Sequence, residues 1–508
     1  MKKEDYARIL NSSKNMITAT VCQIAVAVLG IVERSVFINN LSEEYLGLSS
    51  LFSSLLAVLS ISELGLGSAM AFCLYSPLAS REEGKIRALL RFMSTAYRWI
   101  GLLILILGFV LLPFLSLISK TTIPMSDVRL YYLVYLFGVA FGYFFSYSAV
   151  LVEADQKQYI NTIIINTVQI LQSLVQMFIL IQTQNFLAYT TVFACGNILR
   201  YVIIQVVTHR IYPFIRRSSG SSDRLDAETK QMIGKNIKAL VIHKIGGTVI
   251  GSSDSIMISM LLGMGILGIY SNYQLLLVGI SSGVAIIYSS MNASIGNICA
   301  LEKSETSYGW FMRINTYYSL LIGALCTVLA VCLNPLMSIL FPSAKQLPQI
   351  TVILLTASNY FTYMRKIVTT FEDAYGLFWY DRYKSIVEII INIVSSIALS
   401  YWLGLDGIII GTILSTLLVC AWVEPVVVFK YGFQRSPGRY IFNYVRSLLV
   451  FLIATFAGSF VCSLMDEKGL FALIIKIVLC LLVYCVCAVA FAPKTIYSML
   501  HKSRMGTE

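Results

Sequence analysis

The sequence predicts an all-α polytopic membrane protein of about fourteen transmembrane helices, arranged as two six-helix lobes with two further helices at the C-terminus. Three observations carry this expectation. Apolar residues make up 57% of the 508 and charged residues 13%, about half of the roughly 25% charge with which soluble domains meet water. The apolar residues fall in runs of about 20, the length that crosses roughly 30 Å of hydrocarbon as a helix. Lys and Arg gather in alternate loops between those runs. The same composition, with a mean hydropathy of +0.77, excludes disorder, collagen-like repeats and coiled coils, which need polar, Gly-periodic or charge-rich sequence.

The runs lie near 15–38, 46–72, 97–118, 131–152, 160–182, 187–208, 239–262, 267–292, 311–334, 350–370, 384–403, 406–430, 446–464 and 470–491. They lack the alternation and about 10-residue length of barrel strands. Of the 38 Lys and Arg, 28 fall in one set of loops and 4 (Lys120, Arg129, Lys345 and Lys468) in the opposite set. Basic loops are retained on the cytoplasmic side during insertion, so both termini are expected there. The net charge of +12 is then topogenic and calls for no nucleic-acid partner; membrane lipids are the surroundings it implies. The polar start MKKEDYARILNSSKN precedes a run too long for the core of a signal peptide, so the N-terminus is expected to stay on the protein. Most of the eleven cysteines sit inside apolar runs without metal-ligand spacing and read as small apolar side chains.

The longest loop, 209–238, carries RRSSGSSDRLDAETK at its centre and reads as a cytoplasmic basic linker. It divides an N-terminal lobe (1–208) from a C-terminal lobe (239–430), followed by two extra helices and a tail (431–508). An offset of 221 residues aligns the second run with the eighth. Leu46/Leu267, Gly47/Gly268, Ser50/Ser271, Leu55/Leu276, Leu56/Leu277, Ser60/Ser281, Ser68/Ser289 and Met70/Met291 are identical, and Glu33 falls opposite Asp254. An internal repeat of this kind implies lobes related by an axis along the membrane normal.

Enzyme signatures are missing. The sequence has no GxxxxGK[ST], HExxH, paired CxxC or GxSxG, and His209, His243 and His501 are far apart, so no catalytic residue or metal site is expected. A polymerase or ligase acting on lipid-linked sugar usually needs a large external loop, and the external loops here are short. Ionisable residues inside the runs are the informative feature, because each costs several kcal/mol at mid-bilayer unless it faces water or a partner. Arg200 lies about 20 Å from the external end of its run. Arg34, beside Glu33, lies near the external end of the first run and can either face a cavity or reach outward. Arg365 and Lys366 are adjacent, so at most one need face inward, while Lys244 and Lys476 can reach an interface. Glu63, Asp254, Glu388 and Glu424 are the acidic counterparts, able to neutralise a cation, load a proton or sodium ion, or both. In ELGLGSAM, Gly65 and Gly67 beside Glu63 fit a deformable helix or simple close packing.

The stretch RSVFINNLSEEYLGLSSLFSSLLAVLSISELGLGSAMAFCLYSPLASREEGKIRALL, with HKIGGTVIGSSDSIMIS and LGIYSNY later, resembles the bacterial polysaccharide flippases of the multidrug/oligosaccharidyl-lipid/polysaccharide (MOP) exporter superfamily. The resemblance implies a MATE-like fold in the bacterial cytoplasmic membrane. It further implies alternating access that moves an undecaprenyl-diphosphate-type lipid-linked oligosaccharide to the outer leaflet for surface polysaccharide assembly, with polysaccharide polymerase machinery as a partner. No cofactor is expected, and coupling to protons or sodium stays open. Arg34, Arg200 and Arg365 are the expected diphosphate ligands, since a guanidinium fork binds phosphate oxygens in pairs. Glu63, Asp254, Glu33 and Lys244 are the expected charge or coupling residues. A cation-coupled multidrug exporter of the same superfamily is the alternative, although cationic drugs favour an acidic or aromatic cavity.

Overall fold

The computed structural model describes residues 3–63, 65–216, 246–377, 379–465 and 469–491; among them the chain is helical and has no strand. It packs as two compact units, Met1–Ser271 and Asn272–Glu508. The expected linker lies mostly within 217–245, outside the described residues.

Unit one opens with α1 (Lys3–Asn40). The second expected span is not one continuous rod. α2 (Glu43–Leu59) runs into a 3-10 turn at Ser60–Glu63, Gly65 adopts φ +98°, and α3 (Leu66–Ser80) starts afresh. A left-handed residue cannot continue a right-handed helix, and only glycine takes that conformation without a Cβ penalty. The Gly-rich motif therefore breaks the span beside Glu63.

α4 (Glu83–Leu111) continues through Leu112–Phe114 into the short α5 (Leu115–Ile118) and packs on α6 (Met125–Ala154). α7 (Gln158–Thr183) packs on α1, and α8 (Phe186–Ile211) on both α6 and α7. Lipid gives helices no hydrophobic reason to associate, so close approach through small residues holds them. Gly138 and Gly142 provide it on α6: a Cβ on Gly138 would stand 2.6 Å from the Cα of Ala194, and one on Gly142 3.3 Å from the Tyr201 ring. This spacing presses α6 against the part of α8 that carries Asn197 and Arg200.

α9 (246–257) ends in a π turn, Ile258–Leu262, and Gly263 at φ +99°. Ser259 Oγ donates to the Ile118 carbonyl at 2.7 Å, and the Met264 amide to the Lys120 carbonyl at 2.9 Å, tying this corner to the end of α5. α10 (Met264–Leu301) then crosses α2 at Gly47 and Gly268, the pair matched by the 221-residue offset. A Cβ on Gly47 would overlap the Met264 carbonyl, and one on Gly268 the Glu43 carbonyl. Glu43 and Met264 are themselves 221 residues apart, so the contact is reciprocal, as at a two-fold interface.

In unit two, α12 (Gln349–Met364), α17 (Gly438–Ser463) and α18 (Leu470–Phe491) pack on α11 (Ser304–Leu340), so the two C-terminal helices belong to this unit's packing. Aromatic rings fill the core: Phe311 meets Phe371 and Phe429 edge-on, and Tyr360 stacks on Phe451 at 4.5 Å. The tenth expected span is divided at Arg365, where α12 passes into α13 (Lys366–Tyr375). α14 (Lys384–Leu403) pairs with α15 (Leu405–Ser415). The chain then runs through a π turn (Thr416–Cys420), α16 (Ala421–Val427) with Pro425, and a second π turn (Val428–Phe433). Pro425 has no N–H for the helix ladder, and irregular turns around it readjust the freed carbonyls.

Eleven helices among the described residues are long and apolar enough to cross a membrane. The other three expected spans are the broken α2/α3, the divided α12/α13, and α9, whose first expected residues lie outside the described ones. Trp99, Trp310, Trp379, Trp402 and Trp422 are all exposed, the disposition of interfacial anchors. The chain is an all-α, multi-pass membrane protein.

Candidate substrate-binding site

Arg200 occupies the middle of α8. Its guanidinium donates to Oδ1 of Asn197, one turn earlier, and lies 5.3 Å from the centre of the Tyr201 ring. Its Nε is buried without a hydrogen-bond partner, and no carboxylate pairs with it among the described residues. Gly138, Val139, Tyr143, Asn197, Arg200 and Tyr201 line a cavity of about 130 Å³, enough for ordered water or a small anionic group. Asn197 supplies only a dipole and the ring only a quadrupole, so the charge of Arg200 is solvated but not neutralised.

Tyr143 joins this cavity to the helix break. Its hydroxyl donates to Glu63 Oε2 at 2.8 Å, and that of Tyr97 to Oε1 at 3.4 Å. The rings of Tyr97 and Tyr143 are stacked, with centres 6.4 Å apart. Glu63 is thus held by two phenols at the point where α2 gives way to α3. A change in its charge bears directly on a wall of the Arg200 cavity.

Arg34 belongs to a different layer of unit one. It donates to Ser271 Oγ at 3.1 Å, and its neighbour Glu33 accepts from the Tyr189 hydroxyl at 2.8 Å. Phe37, one turn on, meets the Tyr189 ring edge-on at 5.2 Å. Tyr189 and Arg200 are eleven residues apart on α8, about 16 Å along its axis. Arg34 and Arg200 therefore lie in two polar layers of unit one.

Arg365, in unit two, is engaged by carboxylates. It binds Glu424 through Nε at 3.1 Å and through Nη2 at 2.6 Å, and Glu388 through Nη1 at 3.1 Å. These bonds take up the fork that a diphosphate would use. Asp254 is half-buried on α9, and Lys244 lies outside the described residues.

The structure thus joins Glu63 and Arg200 through Tyr143, a grouping that spacing could not reveal because the three lie on different helices. Tyr97, Tyr143, Asn197 and Tyr201 were not anticipated. Asn197 had the clearest signal: an amide three residues before a mid-span arginine shares its helical face. The tyrosines were hidden among 30 in the chain, most of which anchoring at the interface explains.

No protein-family model and no curated protein sequence matches the chain. Solved structures do. The lipid II flippase MurJ in an inward closed conformation superposes with a TM-score of 0.66 at 15% identity, over 94% of this chain and 100% of that one. An inward-facing multidrug resistance MATE family transporter of the MOP superfamily gives 0.61 at 14% identity, over 80% of this chain and 98% of that one. A MATE transporter of Vibrio cholerae gives 0.55 at 14%, over 84% and 98%. These are transporters and flippases, and at such identities the likeness concerns the fold. This chain has that fold along nearly its whole length.

Proposed function

We propose that the chain is a flippase of the MOP exporter type. Its cargo is a polyprenyl-diphosphate-linked oligosaccharide repeat unit, moved across the bacterial cytoplasmic membrane for surface polysaccharide assembly. Arg200 carries the reading: a guanidinium inside a membrane span, bordering a cavity, with no carboxylate among the described residues to neutralise it. Such a charge is expensive unless function retains it, and the forked donors of arginine suit paired phosphate oxygens. The share of this chain that follows a lipid II flippase supports a lipid-linked cargo. The carrier would present the cavity alternately to each leaflet, the prenyl tail remaining in hydrocarbon throughout, with no cofactor and with a proton or sodium ion as the coupling species.

Cation-coupled multidrug export is the second reading. Glu63 favours it, as a carboxylate one tyrosine away from the cavity, and so does the likeness to MATE transporters. One experiment separates the two. The chain is expressed in a strain lacking its own repeat-unit flippase, lipid-linked intermediates are assayed on each leaflet, and resistance to cationic dyes is measured in parallel. Restored export of the lipid-linked unit without dye resistance is the expected result; dye resistance without export supports the multidrug reading instead.

A further inference from the structure

The densest buried charge outside that cavity lies in unit two, where α13, the turn following it, α14 and α16 meet. Glu372 (2% exposed), Asp381 (7%), Glu388 (5%) and Glu424 (1%) are all buried there. Two cations reach them. Arg365 binds Glu424 and Glu388, and Lys384 Nζ lies against Asp381, 3.1 Å from Glu424 and 3.7 Å from Glu372. Lys366, over the Tyr288 ring, and Asp373 add one charge of each sign nearby, and Tyr440, Tyr444 and Cys420 adjoin the cluster.

Four buried carboxylates against two cations leave an excess of two negative charges if all are ionised. The geometry locates the strain. Arg365 is taken up by Glu424 and Glu388, so one ammonium, Lys384, must serve Glu372 and Asp381 as well as Glu424. Glu372 Oε1 is buried with no hydrogen-bond partner. Two carboxylates in one buried site resist double ionisation, and a proton on one of them relieves both the repulsion and the orphaned oxygen. A metal ion fits less well, because the Lys384 ammonium already stands among these oxygens where such an ion would sit.

We propose that Glu372 and Asp381 jointly bind one proton near neutral pH, making the turn between α13 and α14 a proton-binding site. The proton is taken from water and returned to it, with no other bond made or broken. Its use as a coupling ion would rest on the flippase reading above; its occupancy does not.

The test is an infrared pH titration of the purified full-length protein in nanodiscs. A protonated-carboxyl carbonyl band is expected at neutral pH, lost as the pH is raised into the alkaline range, and missing in both Glu372→Gln and Asp381→Asn. In either variant Lys384 serves only the remaining carboxylate and Glu424, with a neutral amide in place of the third, and the remaining carboxylate ionises. A second readout follows from linkage. The folded state keeps a proton that the unfolded chain releases near the ordinary value of 4.5, so the thermal midpoint falls as pH climbs above that value, until the folded site has released the proton too. Each variant flattens that slope, and if one fails to fold the other carries the test. Lack of the band at neutral pH, or a band unchanged in both variants, overturns the assignment. So does a midpoint raised by sodium with no carboxyl band, which would make this a metal-ion site. Neither readout involves transport, so failure here leaves the flippase reading standing.

Discussion

Arg365 and Arg200 both lie within apolar runs, yet their removal should have opposite signatures. Arg365→Ala strands the buried Glu388 and leaves Glu424 to Lys384 alone, and breaking such a pair from one side costs roughly 3–5 kcal/mol. Membrane-inserted protein should therefore fall sharply, in step with any loss of transport. Glu63→Gln keeps the shape of the side chain and loses only charge. Export should drop while abundance stays near normal, because one of Tyr97 and Tyr143 can still donate to the amide oxygen while the hydroxyl oxygen of the other accepts from the amide nitrogen. A parallel loss of folded protein on quantitative blotting would instead make Glu63 purely structural. The sequence pointed to mid-span charge as the feature to explain. It could not say which arginine was already neutralised, because the carboxylates that settle the matter are 23 and 59 residues away from Arg365.

Helices were legible where hydrophobic length alone decides them, and less so where a backbone detail intervenes. The runs expected at 160–182 and 384–403 reappear as α7 and α14 almost unchanged. The break in the second span turns on Gly65 at φ +98°, which the glycine pair only hinted at. The division at Arg365 falls within FTYMRKIVTT, where no Gly or Pro marks it. The repeat, by contrast, gains a physical meaning at the crossing of α2 and α10. Gly47→Ala and Gly268→Ala should each lower stability by about 1–3 kcal/mol, since each methyl meets backbone that cannot rotate away. The two effects should be similar in size, as the contact is reciprocal. Thermal unfolding of the purified variants checks this, and a wild-type midpoint for either one would contradict the crossing.

At the scale of the whole molecule, the cation bias of 28 against 4 fixes an expected topology that the helix pattern alone does not. Cysteines introduced at Ser126 and Gln184 should be labelled by an impermeant reagent from outside intact cells, and one at Ser219 only after lysis. The opposite pattern would invert the chain in the membrane. Fold class was readable from composition because lipid imposes so strict a length and polarity on each span. Cargo was not, because it depends on which few polar groups several distant helices bring together.

The most direct test of the carrier account is export of lipid-linked repeat units by Arg200 variants, normalised to membrane-inserted protein. Arg200→Ala removes the unneutralised guanidinium from the cavity. A charge-assisted contact to phosphate is worth about 1.5–3 kcal/mol, so export should fall by roughly one to two orders of magnitude. Arg200→Lys retains charge but not the fork, and should export at an intermediate level. Wild-type export by Arg200→Ala at normal abundance would contradict a diphosphate site at this arginine.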